Sequence, residues 1–223
     1  NRLQENFTVQ NATIFALAHL AEIRDPETGD HILRTQAYVK CLAVQLQKDM
    51  RYAKVLTNAY IDTLTRSAPL HDIGKVGIPD HILLKEGKLT STEWQIMQTH
   101  AQLGAQAIEL AENDVAQSLE FLTIAKEIAH YHHEKYDGSG YPDKLIADQI
   151  PLSARIMAIA DVFDALVNKR VYKRAFAYED AFDIITNESG KHFDPELVSA
   201  FRQCYPEFIT IAQRYSAESE PSS

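Results

Sequence analysis

Apolar residues recur every three or four positions through most of the chain, which is the period of an amphipathic α-helix. The first such stretch runs from Asn6 to about Arg24, and Asp25-Pro26 with Gly29 marks its end. Its apolar positions also fit an interrupted heptad. This helix therefore either continues from an upstream coiled-coil linker or packs on the core, and we assign residues 1–16 to a helical linker.

The same pattern continues as a series of helices. They are predicted at about 31–49, 52–67, 92–110, 116–133 and 153–167, with a further helix beginning at Asp194-Pro195. Thr90 and Glu93 form a predicted capping box at the start of the helix at 92–110. No repeat or strand pattern interrupts the series. The sequence predicts an all-α fold, with residues 17–215 as one compact domain and residues 216–223 as a disordered tail.

The composition supports this fold class. The 223 residues are 45% hydrophobic, enough for one filled core, and Gly and Pro number only eight each. Cys41 and Cys204 lie far apart in the sequence, which favours reduced thiols and a cytoplasmic protein. No stretch reaches the length of a membrane span and no signal peptide opens the chain. Because the first residue is Asn1 and not Met, we expect a piece of a longer protein.

The formal net charge of −9 argues against a nucleic-acid polymer as partner. A small anionic substrate is compatible with that charge if basic residues or metal ions supply a local positive patch.

Eight side chains of metal-ligand type lie at predicted helix ends or on otherwise apolar helix faces. They are Glu27, His31, His71, Asp72, His100, His132, His133 and Asp161. Each alone is more often structural, but the whole set is hard to explain as solvated surface. Eight ligands exceed the needs of one ion, and a carboxylate such as Asp72 can bridge two ions about 3.5–4 Å apart. Imidazole and carboxylate without thiolate suit Fe, Mn, Ni or Zn.

One glycine-rich segment, Asp137-Gly138-Ser139-Gly140-Tyr141-Pro142, interrupts the helices. Its glycines and proline give it a defined shape that we expect to expose the Tyr141 ring. Such a loop can form a rim for the substrate, a docking surface for a partner, or a loop that packs on the neighbouring helix.

Taken together, the motifs closely resemble those of the HD-GYP domains, a bacterial branch of the HD phosphohydrolase superfamily. The resemblance runs from roughly Leu17 to Phe201. The matching motifs are Glu27-Thr28-Gly29 with His31, His71-Asp72-Ile73-Gly74-Lys75, Gly77-Ile78-Pro79-Asp80, His100, His132-His133-Glu134, Asp137 to Pro142, Asp161-Val162-Phe163-Asp164-Ala165-Leu166 and His192-Phe193-Asp194-Pro195.

The resemblance implies an HD-type helical domain that hydrolyses cyclic dinucleotides, chiefly cyclic di-GMP to linear pGpG or GMP, at a centre of two or three divalent metal ions. In family members the ligands fall at the eight positions named above. Some members lack the residue matching Glu27 and hold only two ions, so its presence here favours a third. Fe or Mn is expected, with Ni, Mg or Zn as alternatives.

The resemblance also implies roles in catalysis and substrate binding. Lys75 contacts the scissile phosphate, and Arg170 and Lys173 contact the substrate phosphates. The segment Arg170-Val171-Tyr172-Lys173 lacks the proline common in the family but keeps both charges. Because Lys75 follows Asp72 by three residues, it can stabilise developing negative charge, and we expect both residues to be catalytic.

The resemblance further favours protein partners. Gly140, Tyr141 and Pro142 are the expected contact for a diguanylate cyclase domain, and an upstream sensory or receiver domain is expected in the full-length protein.

Three alternatives to cyclic di-GMP hydrolysis stay open. The substrate can instead be 3′,3′-cyclic GMP-AMP. A non-catalytic cyclic dinucleotide sensor would lack some of the ligand residues, whereas this sequence has a histidine or carboxylate at every expected ligand position. A di-iron oxygenase would not need Lys75 or the basic residues Arg170 and Lys173, which favour a phosphate substrate.

Overall fold

Helices form the framework of the chain in the computed structural model, which describes residues 2–24, 30–114, 119–168 and 175–218. Helices and 3-10 turns make up about three quarters of the described residues. Within those ranges no β-strand occurs, and the only pairings of that kind are the isolated bridges Asp137–Ile146 and Ser189–Phe193. The predicted all-α fold is confirmed.

The described ranges contain eleven α-helices and three short 3-10 turns. The helices are α1 (Arg2–Arg24), α2 (His31–Gln47), α3 (Met50–Ala53), α4 (Asn58–Ser67), α5 (Asp80–Leu83), α6 (Ser91–Gln98), α7 (His100–Asp114), α8 (Glu120–Tyr131), α9 (Leu152–Val167), α10 (Tyr178–Asn187) and α11 (Pro195–Glu218). The 3-10 turns are Ala68–Leu70, Ile73–Gly77 and Ala147–Gln149.

Two of the predicted helices are interrupted. The helix predicted at 52–67 is replaced by α3 and α4, because Thr57 starts a new helix by accepting a hydrogen bond from the Tyr60 N–H. The helix predicted at 92–110 divides at Thr99 into α6 and α7. Its predicted capping box is confirmed, since Thr90 and Glu93 bond to each other's backbone N–H.

Helix α10 was not predicted. Its N-cap is Ala177, which offers no side-chain acceptor, so the sequence carries no start signal there. The domain limits at residues 16 and 215 both fall inside continuous helices, α1 and α11, and remain predictions. Helix α11 extends to Glu218 and so includes the first residues assigned to the disordered tail.

The main core lies where α2 packs against α9 and α11. Tyr38 of α2 stacks on Phe208 of α11 and meets Phe163 of α9 edge-on, with ring centroids 4.8 and 5.2 Å apart. Phe201 closes the cluster, and all four rings are fully buried. This packing fixes α2 and α9 relative to each other, and both helices carry predicted metal ligands.

A smaller cluster holds α7 against α8 through Ile108, Ala125 and Ala129, beneath Leu70. Helix α1 is tied to the segment that follows the His71-Asp72 motif, because the Arg24 guanidinium donates to the carbonyls of Val76 and Ile78 and to Asp80. Among the described residues, no helix combines the length and the apolar character needed to cross a membrane.

Candidate metal centre

The described residues bring seven of the eight predicted ligands together in two adjoining groups. In each group the ligand atoms lie within 4.8 Å of one another. The first group is Asp72, His100, His132 and His133, and the second is His31, His71 and Asp161. The adjacent residues His71 and Asp72 connect the two groups, so these clusters can hold more than one metal ion.

Most of these residues lie at helix ends, where several side chains from different helices can point toward one place. His31 and His100 are the first residues of α2 and α7, and His132 follows the last turn of α8. His71 and Asp72 lie between two 3-10 turns. Asp161 is the exception, since it projects from the middle of the otherwise apolar helix α9.

Backbone carbonyls fix the ring orientation of three of the histidines. The Nδ1 atom lies 2.9 Å from the Ala68 carbonyl in His71, 2.7 Å from the Met97 carbonyl in His100 and 2.9 Å from the Ile128 carbonyl in His132. A carbonyl can only accept, so each Nδ1 donates its hydrogen. Each Nε2 then carries a lone pair and points into the cluster, as in a metal-ligating histidine.

These lone pairs face another acceptor instead of a donor. The Nε2 atoms of His100 and His132 lie 3.3 and 3.6 Å from Oδ1 of Asp72. All three atoms are buried and have no hydrogen-bond partner. Acceptors that face one another out of contact with water repel and remain unsatisfied unless a cation lies between them. The donor set of the first group therefore fits a divalent metal ion.

The second group repeats the pattern. His31 donates from Nδ1 to Oδ2 of Asp164 at 2.8 Å, and its Nε2 lies 3.4 Å from the Nε2 of His71. The Asp161 carboxylate completes the group. Two imidazole lone pairs and a carboxylate oxygen again converge, so this group also fits a cation.

Burial and the Asp72 carboxylate act in opposite directions on the pKa values of the site histidines. Burial lowers the pKa of His100 to about 4, which keeps that ring neutral and able to bind metal. In His71 burial also acts downward, but the neighbouring Asp72 carboxylate raises the pKa to about 9. The Asp72 carboxylate therefore makes the connection between the two groups a place that favours positive charge.

Lys75 brings a cationic side chain to the Asp72 carboxylate. Its Nζ lies 2.6 Å from Oδ2 of Asp72, and the Lys75 side chain is only 14% exposed. Burial acts to raise the pKa of Asp72, but Lys75 and His71 hold it well below its ordinary value. The lysine therefore stabilises Asp72 as a carboxylate and holds its ammonium group at the edge of the centre.

Asp164 is a site residue to which the sequence analysis assigned no role. Its buried carboxylate accepts from His31, from the Arg34 guanidinium at 2.7 and 3.0 Å, and from Asn168 at 3.0 Å. Burial acts to raise the pKa of Asp164, and the bonds from His31 and Arg34 lower it by more. The signal was its spacing, because a residue three positions after Asp161 lies on the same helix face.

The glycine-rich loop does not expose the Tyr141 ring as predicted. Tyr141 is half-buried and stacks on His133, with ring centroids 4.7 Å apart and an interplanar angle of 26°. The loop can pack this closely because Gly140 has no side chain: a Cβ there would lie 2.3 Å from the Lys135 nitrogen. The expectation of an exposed Tyr141 ring is therefore wrong, and the ring covers a candidate ligand.

Three predicted site residues lie outside the described residues. They are Glu27, the expected ligand of a third metal ion, and the expected phosphate contacts Arg170 and Lys173.

Residues 16–197 match the family model described as HD domain. Two curated proteins of Vibrio cholerae serotype O1 are similar along most of the chain. One, named cyclic di-GMP phosphodiesterase, is 54% identical over 93% of this chain and 42% of its own length. The other, named 3′3′-cGAMP-specific phosphodiesterase 2, is 42% identical over 89% of this chain and 35% of its own length. The chain thus spans less than half of either relative.

A solved structure shares the fold. The crystal structure of a cyclic GMP-AMP specific phosphodiesterase from Vibrio cholerae superposes with a TM-score of 0.63 over 90% of this chain and 50% of that one, at 20% identity. The family match covers most of the chain, and the His71-Asp72 and Gly140-Tyr141-Pro142 motifs give the branch its name. The chain therefore belongs to the HD domain family, within its HD-GYP branch.

Proposed function

We propose that this chain is the catalytic domain of a metal-dependent phosphodiesterase that hydrolyses a cyclic dinucleotide, with cyclic di-GMP as the main substrate. The observation that carries the proposal is the convergence of buried, unpartnered acceptor atoms of Asp72, His100 and His132. Such an arrangement is costly unless a cation fills it.

The proposed centre holds two or three divalent ions. His31, His71 and Asp161 would bind one ion, His100, His132 and His133 a second, and Asp72 would bridge them. Glu27 is the proposed additional ligand for a third ion. Neutral nitrogen and carboxylate oxygen ligands without thiolate favour Fe or Mn, with Ni, Mg or Zn as alternatives.

The chemistry divides between the ions and the protein. Bound divalent ions supply Lewis-acid polarisation of a phosphodiester and activation of water at neutral pH. Lys75 would hold its ammonium group beside the scissile phosphate and offset charge that develops on the phosphoryl oxygens. Arg170 and Lys173 would bind the substrate phosphates, which supplies the local positive charge that an acidic chain needs.

The names of the relatives support the substrate class. A relative 54% identical is named for cyclic di-GMP and a relative 42% identical for 3′3′-cGAMP. The first name supports cyclic di-GMP as the main substrate, and the second supports 3′,3′-cyclic GMP-AMP as the second candidate. We propose pGpG, GMP or both as products of the first substrate.

The proposal extends to the surroundings of the domain. We propose that it works in the cytoplasm, joined to an upstream sensory or receiver domain, and that Gly140, Tyr141 and Pro142 contribute to contact with a diguanylate cyclase domain.

The test is product chromatography with metal analysis. The metal-stripped chain is reloaded anaerobically with Fe²⁺ or Mn²⁺ and incubated with each cyclic dinucleotide, alongside a sample kept in chelator. We expect conversion to linear dinucleotide or mononucleotide only in the loaded samples, and faster with cyclic di-GMP. Tight binding of cyclic di-GMP without any turnover at full metal content would instead support the sensor.

A further inference from the structure

We propose that Trp94 is a stacking platform for one purine base of the cyclic dinucleotide, at the rim of the metal centre. The identity of the base rests on the proposed function. The platform itself rests on the position of the Trp94 ring, on its exposure and on the aromatic contacts that connect it to the centre.

The Trp94 ring is exposed on a backbone that is firmly held. The residue is 48% exposed, although it is a large aromatic side chain. Its N–H donates to the Thr90 carbonyl at 2.8 Å in the first turn of α6. Glu93, the preceding residue, is bound by the Thr90 N–H at 2.7 Å and by Lys85 at 2.5 Å. A ring presented from a fixed turn loses little entropy when a ligand stacks on it.

Aromatic contacts lead from Trp94 to the metal centre. The Trp94 ring meets Tyr141 nearly edge-on, with centroids 6.3 Å apart at 82°. Tyr141 in turn stacks on His133 and meets His100 edge-on at 6.4 Å. Only one ring, that of Tyr141, therefore separates the exposed Trp94 from two candidate ligands. A nucleotide bound with its phosphate at the metal centre would then have its base beside Trp94, the outermost ring of this series.

The chemistry of a purine suits this position. Every base has a π-face, so stacking on an aromatic side chain tolerates different bases. A platform at Trp94 would therefore accept guanine and adenine alike. It would strengthen the binding of cyclic di-GMP and of cyclic GMP-AMP without choosing between them, and the choice would have to come from other residues.

Ile96 on the same helix offers a matched control. It is 37% exposed and apolar but has no ring. Two residues along an α-helix correspond to a rotation of about 200°, so Ile96 projects from the side opposite Trp94. Truncation at Ile96 reproduces the loss of exposed apolar surface on α6 without removing the proposed platform.

The direct test uses the fluorescence of Trp94, since the chain contains one tryptophan. The metal-loaded chain is titrated with GMP, which carries the base and a phosphate but has no internal diester to hydrolyse, and with ribose 5-phosphate, which lacks the base. We expect saturable quenching by GMP and none by ribose 5-phosphate. Equal responses to both ligands, or no response to either, would overturn the platform.

Variants then measure its contribution to substrate binding. Trp94→Ala should raise the KM for cyclic di-GMP about 10-fold, the effect of losing one stacked base, with kcat and metal content unchanged. Trp94→Phe should recover part of the loss, and Ile96→Ala should behave as the unmodified chain. An unchanged KM in Trp94→Ala, or a loss confined to kcat, would contradict the proposal.

These outcomes separate the platform from the proposed function. If the unmodified chain hydrolyses cyclic di-GMP but GMP leaves its fluorescence unaltered, only the platform fails. If the loaded chain hydrolyses neither cyclic dinucleotide while GMP quenches Trp94, the proposed reaction fails and the base-binding surface stands.

Discussion

Single residues at the centre differ in how their orientation is fixed. His71, His100 and His132 donate to backbone carbonyls, which no substitution of a side chain removes. His31 instead donates to the side chain of Asp164. The orientation of His31 therefore depends on Asp164, a side chain that can be substituted and that belongs to neither group of candidate ligands.

Asp164→Asn should lower metal affinity at the His31 group about 10-fold, because an amide holds the imidazole less firmly than a carboxylate. The measurement is competitive metal titration of the purified variant against a chelating indicator. Asn168→Ala is the control, since Asn168 also bonds to Asp164 but not to His31. Equal affinities in the variant and the unmodified chain would show that Asp164 has no such positioning role.

Asp164→Ala should be more severe for a separate reason. It would leave the buried guanidinium of Arg34 without this carboxylate, a change that costs about 3–5 kcal/mol in comparable pairs. For that reason Asp164→Asn is the better variant for measuring metal affinity.

His192 provides a pH dependence outside the proposed ligands. Burial lowers its pKa to about 4, with a further lowering from Lys135. In the unfolded chain His192 has a pKa of about 6.5, whereas in the folded chain it stays neutral until the pH approaches 4. Protonation between these pH values therefore favours the unfolded chain, so the free energy of unfolding is highest above pH 6.5 and decreases as the pH falls toward 4. We expect His192→Gln to lose less thermal stability than the unmodified chain between about pH 7 and pH 5. Equal losses of thermal stability in His192→Gln and in the unmodified chain would contradict this. His19→Gln is the control, because His19 is exposed and its substitution should leave the pH dependence unchanged.

At the scale of elements, a close contact aligns the Asp72 segment with α7. A Cβ on Gly74 would lie 1.9 Å from the His100 carbonyl oxygen and 2.5 Å from the Gly104 nitrogen. Both neighbours are backbone atoms, which cannot move aside without displacing α7. The absence of a side chain at Gly74 thus helps to keep His100 beside Asp72.

Gly74→Ala should therefore lower both thermal stability, by about 1–3 kcal/mol, and metal content. Gly77→Ala is the matched control, because its Cβ would meet only the flexible end of Leu103, at 2.8 Å. Thermal denaturation and metal analysis of the two variants give the comparison. If Gly74→Ala were no worse than Gly77→Ala, this contact would not fix the geometry of the site.

The elements also show what the sequence could predict. Helix α2 was predicted because its apolar residues recur at helical spacing, and helix α9 because it is a long run of mostly apolar residues. The division at Thr99 was not, since the residues on both sides favour helix and tertiary packing decides the break. Helix α10 has no polar N-cap, so its start left no signal.

On the scale of the whole molecule, the same helices build the core and the site. Helices α2 and α9 meet through Tyr38 and Phe163, and they carry His31 and Asp161. The candidate ligands were predicted from the sequence because histidines and carboxylates at helix ends or in an apolar helix are costly to bury without a partner. The stacking of Tyr141 on His133 was not readable, since it depends on how a loop folds back onto a helix end.

The central claim is that Asp72 connects two metal positions that hydrolysis requires. The most direct test is the metal-to-protein ratio of purified Asp72→Ala, measured together with its turnover of cyclic di-GMP. We predict that the variant folds but loses stoichiometric metal and all measurable hydrolysis, because a ligand shared by two ions is gone. A variant that kept both its metal content and its turnover would contradict the account.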